Sequence, residues 1–193
     1  MEKIKVASVQ MEHHDGDKDY NLSVVEKFSV RAASQGAAAV AFPECCISSY
    51  MYLEGLSRPQ LEELADEVPG GTSVDALRDI ASTNKIHVLA GLLEIDRTEN
   101  NALYNTYVAV SPDGKITRYR KLHPFVHPEL SAGSEFVMWD IEGWKTSVLI
   151  CYDSNLPENW RILELRGAQL VFAPHQTGGF DIPCAGMGTI SPE

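Results

Sequence analysis

Residues 38–44 read Ala-Ala-Val-Ala-Phe-Pro-Glu, an apolar run that ends at a proline and an acid. A short run of this kind, bounded by turn residues, is typical of a buried strand, here over residues 38–42. The β-branched run over residues 4–10 predicts another strand, with both faces covered. Apolar residues at helical spacing lie between the two, with Asp19 as the expected cap and Gly36 as the stop. This order of strand, helix and strand favours parallel pairing.

The remainder of the chain continues with helices and strands and contains neither a repeat nor a linker. Beyond residue 93 the pattern changes to pairs of strands joined by turns. We expect three further helices: one with its closing turn at residues 57–71, one that begins at a capping box at residues 72–75, and one that begins at Pro157. We expect strands at residues 87–93, 103–110, 115–120, 136–141, 145–151 and 170–173. The pattern predicts an α/β protein with a mixed sheet, in a single domain spanning residues 1–193.

The composition is that of an ordinary globular protein. The chain has 193 residues, of which 44% are hydrophobic and 22% charged, so it can bury a core and is not expected to be disordered. Its longest apolar runs are far shorter than the ~20 residues that cross a bilayer, and its start lacks a signal-peptide core. We therefore expect a cytoplasmic protein without a membrane span.

Charge and cysteine usage narrow the set of partners. The chain carries 16 Lys and Arg against 27 Asp and Glu, for a net charge of −11, which repels a phosphate backbone. Nucleic acid is therefore not an expected partner. The cysteines lack the paired spacing of a zinc site, and we interpret them as free thiols in a reducing compartment. They are Cys45, Cys46, Cys151 and Cys184.

The end of the chain has no periodic apolar pattern. Residues 174–193 are rich in glycine and proline. No further element follows the strand at residues 170–173, and an uncovered apolar face or strand edge favours association. The sequence therefore predicts a fragment that lacks its C-terminal elements, or a chain that depends on a partner. A homo-oligomer is expected.

Reactive side chains follow the predicted strands at the points where they end. These side chains are Glu44, Lys121 and Cys151. Strand ends are where ligands bind in α/β sheets. Taken alone, each residue has an ordinary alternative, namely a solvated acid, a surface charge and a buried thiol. Together they are the proton acceptor, the cation and the nucleophile that an acyl-transfer enzyme without serine or metal needs.

The motifs around these residues carry a resemblance to a known family. They are Phe-Pro-Glu (42–44), Tyr-Arg-Lys-Leu-His (119–123) and Ile-Cys-Tyr-Asp (150–153), followed by Leu-Pro-Glu (156–158). In order and context they strongly resemble the nitrilase superfamily of carbon-nitrogen hydrolases. The resemblance covers nearly the whole chain and implies a four-layer α-β-β-α sandwich. Because members of the family commonly run longer, the sandwich is expected to be incomplete at the C-terminus.

The resemblance implies a role for each reactive residue. Glu44 is expected to be the general base, Lys121 the electrostatic stabiliser and Cys151 the nucleophile. The backbone N–H of Tyr152 is expected to help form the oxyanion hole.

Two further residues are candidates for positioning the substrate. Glu129 falls where the family places a second glutamate that positions substrate and lysine, and a turn acid beside proline is the alternative. Tyr50 follows Glu44 closely enough to line the pocket, although Ser49 stands where many relatives carry glycine.

Cys-Tyr-Asp followed by Leu-Pro-Glu looks more like the amidase and carbamoylase branches than like true nitrilases. We therefore expect a hydrolase that cleaves the non-peptide C–N bond of a small linear amide or N-carbamoyl compound through a cysteine thioester and releases ammonia, without a cofactor. The alternatives are a true nitrilase and a truncated, inactive or partner-dependent subunit of the same fold.

A metal site is the other enzymatic alternative. The spacing of His123 and His127 suits two ligands on one helix, but Pro124 and Pro128 interrupt any helix there. We therefore expect no metal. The other candidate ligands are His13, His14 and Asp15.

Overall fold

The computed structural model describes residues 3–176, so Cys184 and most of the glycine-rich tail lie outside the described residues. Its α-helices are α1 (Lys18–Ser34), α2 (Arg58–Leu64), α3 (Thr72–Asn84) and α4 (Pro157–Leu165), with 3₁₀ helices at Met51–Gly55 and Cys151–Asn155. Its strands are β1 (Val6–Ser8), β2 (Ala39–Ala41), β3 (His87–Asp96), β4 (Ala102–Val110), β5 (Ile116–Arg120), β6 (Trp139–Ile141), β7 (Trp144–Val148) and β8 (Leu170–Phe172). Over this part of the chain, no helix combines the length and the apolar character that crossing a bilayer requires.

The strands form two sheets. The first has the order β1-β2-β3-β4-β5, in which β1, β2 and β3 are parallel and β3, β4 and β5 are antiparallel. In the second, β7 pairs antiparallel with β6 and parallel with β8. The predicted parallel pairing of the first two strands and the two predicted antiparallel strand pairs are confirmed.

Successive residues of the first sheet belong to different cores, because side chains alternate between the two faces of a strand. Val40 of β2 packs in one cluster with Leu77 of α3. Its neighbour Ala39 packs in another cluster, together with Val148 of β7 and Phe172 of β8. The first sheet therefore has helices on one face and the second sheet on the other.

Strand β1 differs from its prediction. Its residue Val6 is 39% exposed, so the expectation that both faces are covered is wrong. Within the described residues β1 is the edge strand of the first sheet, and an edge strand has a neighbour on one side only.

The first helix also begins differently from its prediction. Asp17, rather than Asp19, caps α1, and its side chain accepts a hydrogen bond from Tyr20 N at 2.9 Å.

The capping box expected at residues 72–75 is absent, because Gly71 is the N-cap of α3. The side chain of Asp66 supplies an acceptor instead, at 3.3 Å from Ser73 N. This acceptor comes from outside the helix, so the local pattern could not indicate it.

Gly91 of β3 lets the segment after β2 lie directly on the first sheet. A methyl group at Gly91 would lie 2.9 Å from the carbonyl carbon of Glu44 and still closer to Cys45 N, well inside van der Waals contact. The Gly91 carbonyl accepts a hydrogen bond from Ile47 N at 3.1 Å. The backbone at Glu44 is therefore fixed against β3.

Replacing Gly91 by alanine should destabilise the protein, because the added methyl group meets backbone rather than a movable side chain. We expect the free energy of unfolding to fall by about 1–3 kcal/mol, as for other overpacked sites. Gly55→Ala is the matched control, since its methyl group would meet nothing within 4 Å. Urea denaturation measures both variants, and equal stability of Gly91→Ala and Gly55→Ala would contradict the close approach.

Candidate active site

Segments far apart in the sequence bring Glu44, Lys121 and Cys151 to one place. Glu44 lies just beyond β2, Lys121 follows the last residue of β5, and Cys151 begins the 3₁₀ helix after β7. The charges of Glu44 and Lys121 both act on the Cys151 thiol and shift its pKa in opposite directions. The structure thus joins the three residues that the sequence singled out.

Lys121 and Glu44 form a buried ion pair. Lys121 Nζ lies 2.7 Å from Glu44 Oε1, and both side chains are 0% exposed. The readings of Glu44 as a solvated loop acid and of Lys121 as a surface charge are therefore wrong. Two buried charges with this geometry are found where attraction and hydrogen bonding together offset the loss of hydration.

The backbone on both sides of Lys121 is also fixed. Lys121 N donates to Asn105 O at 2.8 Å, and Lys121 O accepts from Gly133 N at 2.8 Å. A methyl group at Gly133 would meet the carbonyl carbon of Arg120 at 2.8 Å, so only glycine permits this approach. The backbone from which the Lys121 ammonium extends is therefore held by β4 on one side and by the loop at Gly133 on the other.

Cys151 has a strained backbone. Its φ is +46°, in the left-handed region that residues other than glycine rarely adopt, and its N–H donates to Pro174 O at 2.8 Å. Such a conformation costs about 1–3 kcal/mol and is found preferentially at functional sites. The sharp turn from strand to 3₁₀ helix leaves the thiol half-buried beside Glu44.

Opposing effects act on the Cys151 thiol. Burial raises its pKa most, the negative charge of Glu44 raises it further, and the Lys121 ammonium lowers it. The backbone N–H of Tyr152 also lowers the pKa of Cys151 by hydrogen bonding to the sulfur. The net direction is upward, so at neutral pH the sulfur carries its proton and the adjacent Glu44 carboxylate is the group placed to accept it.

Tyr50 lies in the same cluster. The residue is buried, its Oη lies 3.4 Å from Lys121 Nζ, and the same Nζ lies 5.0 Å from the centre of the Tyr50 ring. Burial raises the pKa of Tyr50 first, followed by the charge of Glu44, so the phenol is neutral. Phe125, which is 64% exposed, adds a second ring 4.9 Å from Nζ.

The structure pairs Glu129 with Arg58, whereas Lys121 pairs with Glu44. The Glu129 carboxylate is 43% exposed and pairs with Arg58 Nη1 at 2.8 Å. Arg58 also pairs with Glu62 of its own helix at 2.7 Å.

Asp153 was not singled out from the sequence, although it connects two segments of the site. It is 0% exposed and accepts hydrogen bonds from Tyr119 Oη at 2.8 Å, Leu122 N at 3.0 Å and His123 N at 2.9 Å. Asp153 therefore ties the turn at Cys151 to the segment after Lys121. An acid directly after the apolar run at residues 148–152 was the available signal, because a carboxylate that is buried there needs partners.

Asn105 is the other residue that sequence reasoning missed. Its Nδ2 lies 2.7 Å from Glu44 Oε1 and its side chain is buried in β4. The available signal was an asparagine in the middle of a predicted strand, where this residue is depleted.

The candidate metal ligands have separate partners. His14 stacks on Tyr20, with ring centroids 3.6 Å apart, and His127 Nε2 lies 3.1 Å from Leu56 O. No cluster of three or more His, Cys, Asp or Glu side chains suited to a metal ion occurs in residues 3–176. Of the remaining candidates, His13 contacts Gln176, Asp15 contacts Ser49, and His123 contacts Asp153.

Two packed sheets, helices against the outer face of the first, and reactive groups at the strand ends define an α/β protein of the nitrilase type. Residues 5–187 match the carbon-nitrogen hydrolase family, and the chain belongs to that family.

Individual relatives agree with this assignment. A Pyrococcus abyssi protein named nitrilase is 34% identical over 174 residues, which are 89% of this chain and 64% of that protein. The 2-oxoglutaramate amidase of Bacillus subtilis is 31% identical over 175 residues, 88% of this chain and 64% of that protein. The chain therefore spans somewhat less than two thirds of the length of these curated relatives.

Solved structures share the fold. A nitrilase-superfamily protein of Saccharomyces cerevisiae matches with a TM-score of 0.76 at 31% identity, over 89% of this chain and 64% of that one. An amidase from Nesterenkonia sp. matches with a TM-score of 0.75 at 24% identity, over 92% of this chain and 66% of that one. The second likeness concerns the fold alone.

Lys121→Met should be strongly destabilising, because it leaves the Glu44 charge buried without its cation. We expect a loss of about 3–5 kcal/mol in the free energy of unfolding, the range seen when one partner of a buried ion pair is removed. Arg97→Met is the matched control, since it breaks an exposed pair in which the side chains are 56% and 53% accessible, and should cost about 0–1 kcal/mol.

Chemical denaturation measures these changes. Adding Glu44→Gln to Lys121→Met should recover part of the loss, because the unpaired charge is then gone. A Lys121→Met protein as stable as the parent would contradict the buried pair.

Proposed function

We propose that the chain is a carbon-nitrogen hydrolase that cleaves a small linear amide or N-carbamoyl compound and releases ammonia. In this proposal Cys151 is the nucleophile, Glu44 the general base and Lys121 the electrostatic stabiliser. One observation carries it: a fully buried ion pair, 2.7 Å long, lies beside a strained and half-buried thiol. A buried ion pair adds little to stability by itself, so its place beside a thiol favours a chemical role.

The first half of the proposed reaction forms a thioester. Glu44 takes the proton of the Cys151 thiol as the sulfur attacks the carbonyl carbon of the amide. The N–H of Tyr152 and the ammonium of Lys121 stabilise the negative charge that develops on the carbonyl oxygen. The C–N bond then breaks, the protonated Glu44 gives its proton to the nitrogen, and ammonia leaves.

The second half hydrolyses the thioester. Glu44, again a carboxylate, takes a proton from water while the water oxygen attacks the thioester carbonyl. The C–S bond breaks, the sulfur recovers the proton from Glu44, and a carboxylic acid leaves. Tyr50 is proposed to line the pocket beside Lys121, whereas the positioning role of Glu129, whose carboxylate pairs with Arg58, stays a prediction from the sequence.

The substrate class rests on the motifs and on the relatives. The Bacillus subtilis relative is named 2-oxoglutaramate amidase, and another relative, from Pseudomonas sp., is named (R)-stereoselective amidase. A nitrile substrate is the second candidate, favoured by the name of the Pyrococcus abyssi relative. A partner-dependent or inactive subunit is the non-enzymatic candidate, since the chain spans 64% of that relative.

We also propose that residues 1–193 form part of one hydrolase domain with the four-layer α-β-β-α sandwich. Three of these layers support this arrangement: the helices, the first sheet, which contains β2, and the second sheet. Assembly as a homo-oligomer and a cytoplasmic location stay predictions from the sequence.

Covalent capture tests the nucleophile. In one structure of a Nesterenkonia amidase variant, acrylamide has added to the active-site cysteine, so acrylamide is a suitable probe. We expect one adduct on Cys151 in Glu44→Gln, which should not turn the amide over, and none when Cys151→Ala is added to it, measured by mass spectrometry of the intact protein and its peptides. Adding Cys46→Ala to Glu44→Gln is the control and should leave the adduct in place, because Cys46 is fully buried and burial raises its pKa to about 12. Adducts on another cysteine would contradict the assignment.

Glu44→Gln should move two rates in opposite directions. Removing the negative charge lowers the pKa of Cys151, so more thiolate exists at pH 7–8 and alkylation by iodoacetamide becomes several-fold faster. Amide turnover should fall by about 10²- to 10⁴-fold, because the general base is lost. Glu67→Gln, which alters an exposed acid, should change neither rate. Slower alkylation in Glu44→Gln would contradict the proposed electrostatics.

A further inference from the structure

Asn105 lies in the middle of β4, with its side chain between the carboxylate of Glu44 and the thiol of Cys45. It is 1% exposed, its Nδ2 donates to Glu44 Oε1 at 2.7 Å, and its Oδ1 accepts a hydrogen bond from Cys45 Sγ at 3.3 Å. Its backbone carbonyl accepts the hydrogen bond from Lys121 N. One strand residue therefore contacts both members of the buried ion pair.

We propose that Asn105 is the positioning residue of the general base, and this inference rests on the function proposed above. Its amide holds Glu44 Oε1, so that the other carboxylate oxygen, Oε2, receives the proton of the Cys151 thiol. The proton passes from Cys151 Sγ to Glu44 Oε2 as the sulfur attacks the substrate, and it later leaves with the nitrogen.

The hydrogen bonds to the two carboxylate oxygens differ. Glu44 Oε1 accepts from both Lys121 Nζ and Asn105 Nδ2 at 2.7 Å, which occupies both of its lone-pair directions. Glu44 Oε2 accepts from Gln176 N at 3.2 Å, a longer hydrogen bond. With two short hydrogen bonds on Oε1 and one longer hydrogen bond on Oε2, Oε2 is the oxygen with a lone pair left for a proton.

A neutral amide suits this position better than a charged side chain. It donates to the ionised carboxylate without adding a positive charge, which would weaken the base, or a negative charge, which would repel it. The Glu44 carboxylate fixes the orientation of the amide, because an ionised carboxylate only accepts hydrogen bonds and must therefore face the NH₂ group, which leaves Oδ1 facing the weak donor of Cys45. Burial raises the pKa of Cys45 well above its ordinary value, so this thiol keeps its proton.

The position of Asn105 in the sheet makes the amide rigid. Asn105 pairs with Leu93 of β3, and the next residue, Thr106, pairs with Arg120 at the end of β5. A side chain on a strand with neighbours on both sides is held more closely than one on a loop. Asparagine is disfavoured in strand interiors, so a local structural preference does not explain its presence.

The neutral amide of Asn105 is not the only group that faces Glu44, because four titratable side chains also face it. They are Lys121 after β5, Cys45 and Tyr50 in the segment after β2, and Cys151 after β7. Lys121 is the cation among them, and the other three are neutral when protonated. Loss of the Asn105 donor therefore weakens the ionised form of the base without a compensating change nearby.

Two substitutions test the proposal on the 193-residue chain, with butyramide as substrate. Asn105→Ser removes the hydrogen bond to Glu44 without adding charge, because the serine side chain is too short to reach the carboxylate. Asn105→Asp keeps the shape of the side chain but replaces the donor by a second carboxylate. We expect kcat to fall about 10- to 100-fold in Asn105→Ser, the loss of a hydrogen bond to a charged group, with KM little changed. In both variants the acidic limb of the kcat/KM profile should move to higher pH, and further in Asn105→Asp.

Cys45→Ala is the matched control, because it alters the other contact of the same amide and leaves Nδ2 in place. Its pH profile should stay like that of the parent. A shift in Cys45→Ala equal to that in Asn105→Ser would assign the effect to packing around β4 and overturn the proposal. Parent-like kcat and pH profile in a folded Asn105→Ser or Asn105→Asp protein, checked by thermal unfolding, would overturn it as well.

Failure of the proposed function has a different signature. Alkylation of Cys151 by iodoacetamide reports on the thiol without turnover. A parent chain that neither hydrolyses butyramide nor shows faster alkylation after Glu44→Gln would overturn the proposed function together with this inference. An active parent with unchanged Asn105 variants overturns this inference alone.

Discussion

The buried ion pair between Lys121 and Glu44 is the interaction on which the rest of the site depends. Removing two charges from water costs several kcal/mol for each ion, and their attraction offsets this only when the remaining hydrogen-bonding capacity is also met. Asn105 and the backbone N–H of Gln176 meet it for the carboxylate, and Tyr50 lies against the ammonium. Whatever fixes these groups also fixes the charges beside the thiol.

The pair joins segments that are distant in sequence, so each backbone must be held independently. Gly91 lets the Glu44 segment lie on β3, and Gly133 lets a loop lie on the backbone of Lys121. The Asp153 carboxylate accepts hydrogen bonds from the two backbone N–H groups that follow Lys121, and it thereby links that segment to the turn at Cys151. The site is therefore supported by strands and by backbone hydrogen bonds, which hold geometry more closely than side-chain packing alone.

The electrostatics of the thiol follow from the same arrangement. Burial and the Glu44 carboxylate keep the proton on Cys151, while Lys121 acts in the opposite direction. A thiol that keeps its proton until a base removes it differs from a preformed thiolate, because its reactivity depends on the position of that base. In the proposed mechanism, this dependence lets the buried Asn105 amide on β4 influence the reaction of Cys151 at the end of β7.

The sequence by itself determined the strand, helix and strand order, the two antiparallel pairs and the start of α4 at Pro157, because each follows from local periodicity and turn residues. It also predicted which residues form the reactive set, through motifs around Glu44, Lys121 and Cys151. Only the tertiary structure decided that Asn105 contacts Glu44 and that Glu129 pairs with Arg58. Those contacts depend on which strands and loops become neighbours, and no local pattern specifies the partner of a side chain across a sheet.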